Sequence, residues 1–229
     1  MKLKIKIIYF AFLQGDHWEE VICEQMNSLK SLPLYEEAEE ILMSVVCNDE
    51  QLKRLKQHIW AKWKKVKIVS FQKENSYEYP GIKSLWETAK NSEDCVLLYF
   101  HTKGMSETSK KRGGGNFRKL LFDGTIKNYQ VYLNEFKKTP TLDSAMMFPS
   151  ENYFAWYNFF WIRSSYVKNY LPEPQFQKNR YYWERWIGNE HSSKKNPSVY
   201  SPLLGYKNFK NKAQFTIFRN QFLKKNNLL

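Results

Sequence analysis

Short apolar runs that alternate with amphipathic segments are the feature that most restricts how this chain can fold. The runs occupy residues 3–12, 41–46, 66–71 and 96–100. The intervening segments place apolar residues at helical spacing, as in residues 50–63 with Leu, Leu, Ile and Trp on one face. The order strand, helix, strand, helix predicts a parallel sheet with right-handed crossovers over the first hundred residues.

The fourth run also predicts where a ligand binds. Five consecutive apolar residues, 96–100, are typical of a strand buried on both faces of a parallel sheet. His101, Thr102, Lys103 and Gly104 follow directly, and in open α/β sheets ligands bind just beyond the carboxyl ends of the strands. Glycine allows close backbone approach and lysine supplies charge for a phosphate. Two interpretations fit: an anion site, or a surface turn.

The second half of the chain is less regular. Residues 107–115 are basic and rich in glycine, which fits either a solvated linker or a flap that closes over a phosphorylated ligand. The remaining pattern predicts, in order, a helix over 117–136, a strand over 143–148, a packed aromatic segment over 153–162, a short helix ending at Pro172, a helix or turn over 181–187, and a basic tail with helical spacing.

Length and composition favour one large domain over residues 1–229. We divide it into a nucleotide-binding half (1–105), an acceptor and catalytic half (106–200) and a basic C-terminal tail (201–229). The formal net charge of +13 attracts polyanions, such as nucleic acid, an anionic membrane face or phosphorylated substrates.

The cysteines and the N-terminus predict a cytoplasmic protein. Cys23, Cys47 and Cys95 are widely spaced and odd in number, which indicates free thiols in a reducing compartment. No run reaches the length of a membrane span, and no cleavage-site pattern follows the basic N-terminus. The basic tail is the segment expected to contact the inner face of an anionic membrane, if it does not pack on the domain.

Three segments, in order, resemble one family. They are Glu-Tyr-Pro at 78–80 leading into Leu-Tyr-Phe-His-Thr-Lys-Gly at 98–104, Trp-Tyr-Asn-Phe-Phe-Trp at 156–161, and Arg-Tyr-Tyr-Trp-Glu-Arg-Trp-Ile-Gly at 180–188. Together they are similar to small glycosyltransferase-like proteins of bacterial and viral polysaccharide loci. The resemblance implies an α/β fold of the nucleotide-diphospho-sugar transferase (GT-A) type, with a mostly parallel sheet flanked by helices. It implies sugar transfer from a nucleotide-diphosphate sugar to a hydroxyl of a glycan or lipid-linked acceptor in surface polysaccharide assembly.

The sequence departs from the family pattern at two places. Trp156 and Tyr157 stand where relatives have Ser-Gly before the asparagine. The Asp-x-Asp motif that holds a divalent metal in many GT-A enzymes is missing, and residues 101–103 occupy the corresponding place. Dependence on Mn²⁺ or Mg²⁺ is therefore open: either His101 is a single metal ligand, or Lys103 neutralises the diphosphate without metal.

The resemblance implies roles for further residues. Glu184 is the candidate general base that deprotonates the acceptor hydroxyl, because neighbouring rings would desolvate its carboxylate; the alternative is an ion pair on a helix. Arg118, with Lys103, would neutralise the leaving diphosphate. Glu78 would reach the nucleoside or donor sugar, or cap a helix instead.

Asn158, Trp156 and Trp161 are candidate contacts of the acceptor or sugar. Asn158 would bond a hydroxyl or satisfy a buried turn, and at least one of the tryptophans is expected in the core.

A second function belongs to another class. A basic, aromatic-rich module that binds nucleic acid without catalysis would explain the positive charge and the many rings. It leaves the alternating strands and helices unexplained and shows no nucleic-acid-binding signature, so no nucleic-acid partner is expected.

Overall fold

A seven-stranded, mostly parallel sheet forms the centre of the protein. The structure, a computed structural model, describes residues 3–13, 15–102, 114–205, 217, 220–222 and 224–225. The strands are β1 (Ile5–Phe12), β2 (Glu40–Val46), β3 (Val66–Gln72), β4 (Val96–His101), β5 (Ser144–Met146), β6 (Phe160–Arg163) and β7 (Val199–Tyr200). Their spatial order is β3-β2-β1-β4-β6-β5-β7, and β6 runs antiparallel to β4 and β5.

Helices cover both faces of the sheet. They are α1 (Trp18–Lys30), α2 (Pro33–Glu37), α3 (Asp49–Lys62), α4 (Tyr79–Lys90), α5 (Gly114–Phe122), α6 (Tyr129–Lys138), α7 (Ser164–Tyr170) and α8 (Arg180–Arg185). One apolar core lies between the sheet and the helices α1, α3, α5 and α6. A second core lies on the other face, under α4, α7 and α8. This arrangement confirms the predicted α/β class with a mostly parallel sheet flanked by helices.

The first half follows the sequence pattern closely. The four predicted strands are β1 to β4, and β1 pairs in parallel with both β2 and β4. Asn48 caps α3: its side chain accepts a hydrogen bond from the backbone N–H of Gln51, whose side chain accepts one in return. Pro33 begins the short helix α2, because proline is tolerated in a first helical turn.

The predicted single helix over 117–136 is wrong. A π-helical turn at Asp123–Lys127 separates α5 from α6. Gly124 lies so close to Met147 that an added Cβ would come within 2.4 Å of its sulfur, and the carbonyl of Gly124 accepts a hydrogen bond from Tyr132 Oη at 2.9 Å. This tertiary packing of the glycine accompanies the widened turn.

The state of the cysteines and the length of the helices were also considered from the sequence. All three cysteines are free thiols, as predicted; Cys47 and Cys95 are buried and Cys23 is half-buried. Within the described parts of the chain, each helix is too short or too polar to cross a bilayer.

Candidate functional site

The carboxyl edge of the parallel strands gathers the polar residues of the candidate site. Strand β4 ends there at His101, and the antiparallel strand β6 begins there at Phe160. The 3₁₀ turn Trp156–Asn158, which leads into β6, therefore lies beside the end of β4. Helix α4 begins at the same edge, because it follows the parallel strand β3.

The carboxylate of Glu78, at the start of α4, is the centre of this cluster. Its Oε2 accepts a hydrogen bond from Asn158 Nδ2 at 2.7 Å and a longer one from Tyr99 Oη at 3.3 Å. His101 Nε2 lies 3.9 Å from the other carboxylate oxygen. Residues from α4, from β4 and from the turn before β6 thus meet at one acidic group, and we call these four residues the Glu78 cluster.

Tyr99 contributes to the cluster as a neutral donor. Burial raises the pKa of its phenol well above the usual value of 10.0, and the negative charge of Glu78 raises it further. The hydroxyl consequently remains protonated and donates to the carboxylate. Tyr99 and His101 are two residues apart on β4, so their side chains share one face of the sheet, and their rings stack 6.5 Å apart.

Asn158 is the member with unused hydrogen-bonding capacity. Its side chain is fully buried, and its amide nitrogen bonds to Glu78 while its amide oxygen, Oδ1, has no hydrogen-bond partner among the described residues. A buried polar atom without a partner costs about 1–3 kcal/mol. Native proteins rarely retain that cost without a reason, and a ligand donor is one such reason.

Backbone strain is concentrated at the same edge. Among the described residues, the non-glycine residues with positive φ are Tyr77, Tyr153, Tyr157 and Asn158, and all of them lie in loops at the carboxyl edge of the sheet. Left-handed backbone costs about 1–2 kcal/mol for residues with a side chain. Such conformations persist where the surrounding structure enforces them, and they cluster at binding and catalytic sites.

A close approach of α4 to the sheet positions Glu78. An added Cβ at Gly81 would lie 2.6 Å from Phe10 Cβ and 2.7 Å from Tyr99 Oη. Only glycine allows the first turn of α4 to rest on β1 and β4 at this distance. This close packing holds the start of α4 beside Tyr99 Oη, the hydroxyl that donates to Glu78.

His101 is held by its ring and by its backbone. Its Nε2 donates a hydrogen bond to the carbonyl oxygen of Tyr157 at 3.0 Å, and its own carbonyl oxygen accepts one from Gln25 Nε2 at 3.2 Å. Gln25 in turn accepts from Tyr9 Oη at 2.8 Å. The end of β4 is therefore tied both to the turn before β6 and to helix α1.

The role of His101 as a metal ligand stays a prediction. Since Nε2 of His101 donates to Tyr157, Nδ1 is the ring nitrogen whose lone pair could bind a cation. The described residues also contain no group of three or more His, Cys, Asp or Glu side chains placed to hold a metal ion. We derive no step through a metal.

Thr102 and Arg118 are both buried, and both have protein partners. The hydroxyl of Thr102 accepts from the backbone N–H of Phe12 at 2.9 Å, which joins the ends of β4 and β1. Arg118, on α5, donates to Glu24 of α1 at 2.8 Å, on the face of the sheet opposite Tyr99. Their predicted donor contacts stay predictions. Lys103 and Gly104 lie outside the described residues.

The tryptophan candidates divide between core and site. Trp161 is fully buried in β6, donates its indole N–H to the carbonyl oxygen of Thr125 at 2.9 Å and stacks on Tyr132. The prediction that Trp161 contacts sugar or acceptor is therefore wrong, because its polar atom and its ring are both used inside the protein. Trp156 is half-buried in the turn beside the Glu78 cluster and contacts the rings of Phe154 and Tyr157.

Helix α8, which carries Glu184, adjoins the site. Helix α8 packs against the turn that carries Asn158, and Trp183 is fully buried with its ring 5.4 Å from that of Tyr79. Tyr79 directly follows Glu78, so the helix bearing Glu184 adjoins the start of α4. The Glu184 side chain is half-buried.

Sequence reasoning missed Tyr99 and Gln25. Tyr99 was treated only as part of an apolar strand, although a spacing of two from His101 placed both side chains on one face. Gln25 had no signal of its own, because a single glutamine within an amphipathic helix is usually solvated.

Comparison with solved structures gives two similar folds at low identity. One, titled the crystal structure of 4-diphosphocytidyl-2C-methyl-D-erythritol synthase from Anaerococcus prevotii DSM 20548, is 10% identical with a TM-score of 0.46, covering 97% of this chain and 99% of that chain. The other, a cytidylyltransferase from Leptospira borgpetersenii serovar Hardjo-bovis (strain JB197), is 12% identical with a TM-score of 0.35, covering 99% and 95%. At this level of similarity, neither title is transferred to this protein.

Sequence comparison identifies a family. No curated protein matches this sequence significantly. A family model described as "Domain of unknown function (DUF8361)" matches residues 8–213, which is most of the chain. The protein therefore belongs to the DUF8361 family.

Proposed function

We propose that this protein is a glycosyltransferase that moves a sugar from a nucleotide-diphosphate sugar to a hydroxyl of a glycan or lipid-linked acceptor. The observation that supports this most is the Glu78 cluster at the carboxyl edge of a parallel sheet, with the unpartnered Oδ1 of Asn158 beside it. This edge is where open α/β sheets bind their ligands. A carboxylate and an amide oxygen are acceptors, and the hydroxyls of a sugar or ribose are donors that match them.

The proposed chemistry requires a base for the acceptor. As the acceptor oxygen forms a bond to the anomeric carbon, the bond from that carbon to the diphosphate breaks, and the hydroxyl proton passes to a base. We assign that base to Glu184, on the helix that adjoins the start of α4. Lys103 and Arg118 are the proposed partners of the departing diphosphate, since fixed positive charge stabilises a developing anion.

The role of Glu78 differs from that of Glu184. Its carboxylate accepts two hydrogen bonds from protein donors, which orient it firmly. An oriented acceptor suits binding of donor hydroxyls, so we assign Glu78 to recognition of the nucleotide sugar. Substitution of Glu78 should then impair binding of the nucleotide sugar, whereas substitution of Glu184 should impair transfer.

The experiment combines thermal shift with a turnover assay over a set of nucleotide sugars and nucleoside diphosphates, with and without Mn²⁺. Uridine or guanosine diphosphate is expected to raise the melting temperature. Glu184→Gln is expected to keep that shift and lose transfer by about 10²-fold or more, since general-base catalysis contributes about 10²–10⁴-fold. Glu78→Gln is expected to lose the shift itself. Glu190→Gln, a conservative change of a glutamate whose contacts with Arg185 at 3.6 Å and Asn152 at 3.5 Å are both long, is the matched control and should change neither.

Two results would overturn the proposal. One is salt-sensitive binding of oligonucleotides with no response to any nucleotide sugar or nucleoside diphosphate. The other is equal loss of binding and transfer in Glu184→Gln, which would make Glu184 structural.

A further inference from the structure

Helix α3 presents an exposed tryptophan that the fold does not use. Two tryptophans lie near the end of this helix, and Trp63 is fully buried with its indole N–H bonded to Asn27 at 3.0 Å. Trp60 is 82% exposed. Large aromatic side chains normally bury most of their surface, so Trp60 is available to a partner.

Shallow apolar grooves flank Trp60 on both sides. One, of about 420 Å³, runs toward the start of α3 past Leu52. The other, of about 570 Å³, is lined by Ile59 and by Ile68 of β3, the edge strand of the sheet. The exposed ring thus adjoins three half-buried aliphatic side chains, those of Leu52, Ile59 and Ile68.

Lysines surround this surface. Lys53 and Lys56 line the first groove, and Lys56 and Lys64 line the second. All three are exposed, and none forms an ion pair with another described residue. The acidic group at the rim, Asp49, is paired with Lys73 at 2.6 Å, so the net charge of the surface is positive.

We propose that this surface, the Trp60 face, docks the protein on a lipid bilayer that contains anionic phospholipids. Tryptophan is favoured at the level of the lipid headgroups, and aliphatic residues are favoured at the boundary with the acyl chains. The lysines are attracted to the anionic headgroups. Each lysine near an anionic membrane adds electrostatic attraction to the lipid surface. The net charge of +13 adds long-range attraction to the same surface.

Other occupants fit less well. A second copy of the chain meeting this surface face to face would bring the same lysines together, and like charges oppose that contact. Single-stranded nucleic acid stacks on a series of aromatic rings, whereas Trp60 is the one aromatic residue among the described residues that line these grooves. The face also lies along α3 and the outer strand β3, away from the Glu78 cluster between β4 and β6, so the proposal does not depend on the proposed function.

The test is co-sedimentation of the full chain with vesicles of phosphatidylcholine, and with vesicles of an equimolar mixture of phosphatidylcholine and phosphatidylglycerol. Binding is expected only to the mixed vesicles. Lys53→Glu/Lys56→Glu should weaken it at least about tenfold. Lys137→Glu/Lys195→Glu makes the same change in net charge at exposed lysines elsewhere, and is expected to have a much smaller effect.

Trp60 is tested separately by fluorescence quenching with brominated phospholipid. The wild-type protein should be quenched on binding, and Trp60→Phe should still sediment with the mixed vesicles while losing most of the quenching. The side chains replaced in all three variants are exposed, and a circular dichroism spectrum of each variant checks the fold.

Three outcomes would overturn the proposal. They are equal binding to the two kinds of vesicle, equal loss of binding in the two double variants, and undiminished quenching in Trp60→Phe.

Discussion

The two edges of the sheet differ in how their buried polar side chains are hydrogen-bonded. At the amino edge, Arg163 donates to the carbonyl oxygens of Leu142 and Phe136 and to the carboxylate of Asp94, at 3.0–3.1 Å. At the carboxyl edge, Asn158 is buried with its amide oxygen unpartnered.

The acidic group at the amino edge has close donors within the protein. Asp143, at the start of β5, accepts from Lys194 at 2.6 Å and from the backbone N–H of Ser198 at 2.6 Å. The structure places it at the opposite edge from the Glu78 cluster. A buried charge is therefore a sign of a binding site only where its partners leave capacity unused.

Backbone conformation separates the edges as well. The described non-glycine residues with positive φ all lie at the carboxyl edge. At the amino edge, the buried groups of Arg163 and Asp143 are hydrogen-bonded, while the carboxyl edge retains positive-φ residues and a buried amide oxygen without a partner among the described residues. This pairing is the usual relation between a scaffold and its site.

The largest expected effect is at the amino edge. Arg163→Met should lower the free energy of unfolding by about 3–5 kcal/mol, because it leaves two buried carbonyl groups without donors. Urea denaturation measures this. Arg185→Met removes a half-exposed arginine whose pair with Glu190 spans 3.6 Å, and should cost less than about 1 kcal/mol. A similarly small loss for Arg163→Met would show that its buried hydrogen bonds contribute little to the stability of the amino edge.

An intermediate effect is expected at Asn158. Asn158→Asp replaces the donor to Glu78 by a second carboxylate. Two negative charges would then face each other at a position where Asn158 Nδ2 now donates to Glu78 Oε2 over 2.7 Å. Binding of a nucleoside diphosphate, measured by calorimetry, should weaken at least about tenfold, which corresponds to about 1.4 kcal/mol. Asn152→Asp, at a neighbouring loop position whose amide nitrogen is 3.5 Å from Glu190, is the control and should bind normally. Unchanged affinity in Asn158→Asp would show that the open acceptor serves no ligand.

The smallest effect concerns strain at Tyr77. Its φ is 55° and its side chain is partly exposed, so Tyr77→Gly should be neutral or stabilising by up to about 1 kcal/mol. Tyr77→Val should destabilise by about 1–2 kcal/mol, since a β-branched residue tolerates left-handed backbone poorly. Thermal denaturation of the two variants compares them directly, and equal melting temperatures would mean that little strain is stored in this loop.

Much of the first half of the fold could be predicted, because its signals are local. Apolar runs of strand length and capped amphipathic helices identify β1 to β4 and the helices between them. The second half could not be predicted as well, since its elements depend on distant contacts. The break at Gly124 accompanies packing against Met147, and β6 is a strand only because β4 and β5 are on either side of it.

The site was predicted in part for the same reason. Glu78, His101 and Asn158 were all candidates from the sequence, and the structure brings them together at one edge. Trp161 was a wrong candidate because density of aromatic residues does not tell which rings the core uses. Tyr99 was missed because its polar atom matters only once Glu78 is beside it.

The sequence by itself determined the α/β class, the parallel order of the first strands and the edge at which polar residues follow a buried strand. Those features depend on residue spacing, which is a local property. Only the tertiary structure decided that residues 78, 99, 101 and 158 form one cluster, that Asp143 and Arg163 stabilise the opposite edge, and that one of two neighbouring tryptophans faces solvent. The physical reason is that hydrogen bonding and burial are relations between residues far apart in the chain, which spacing along it does not record.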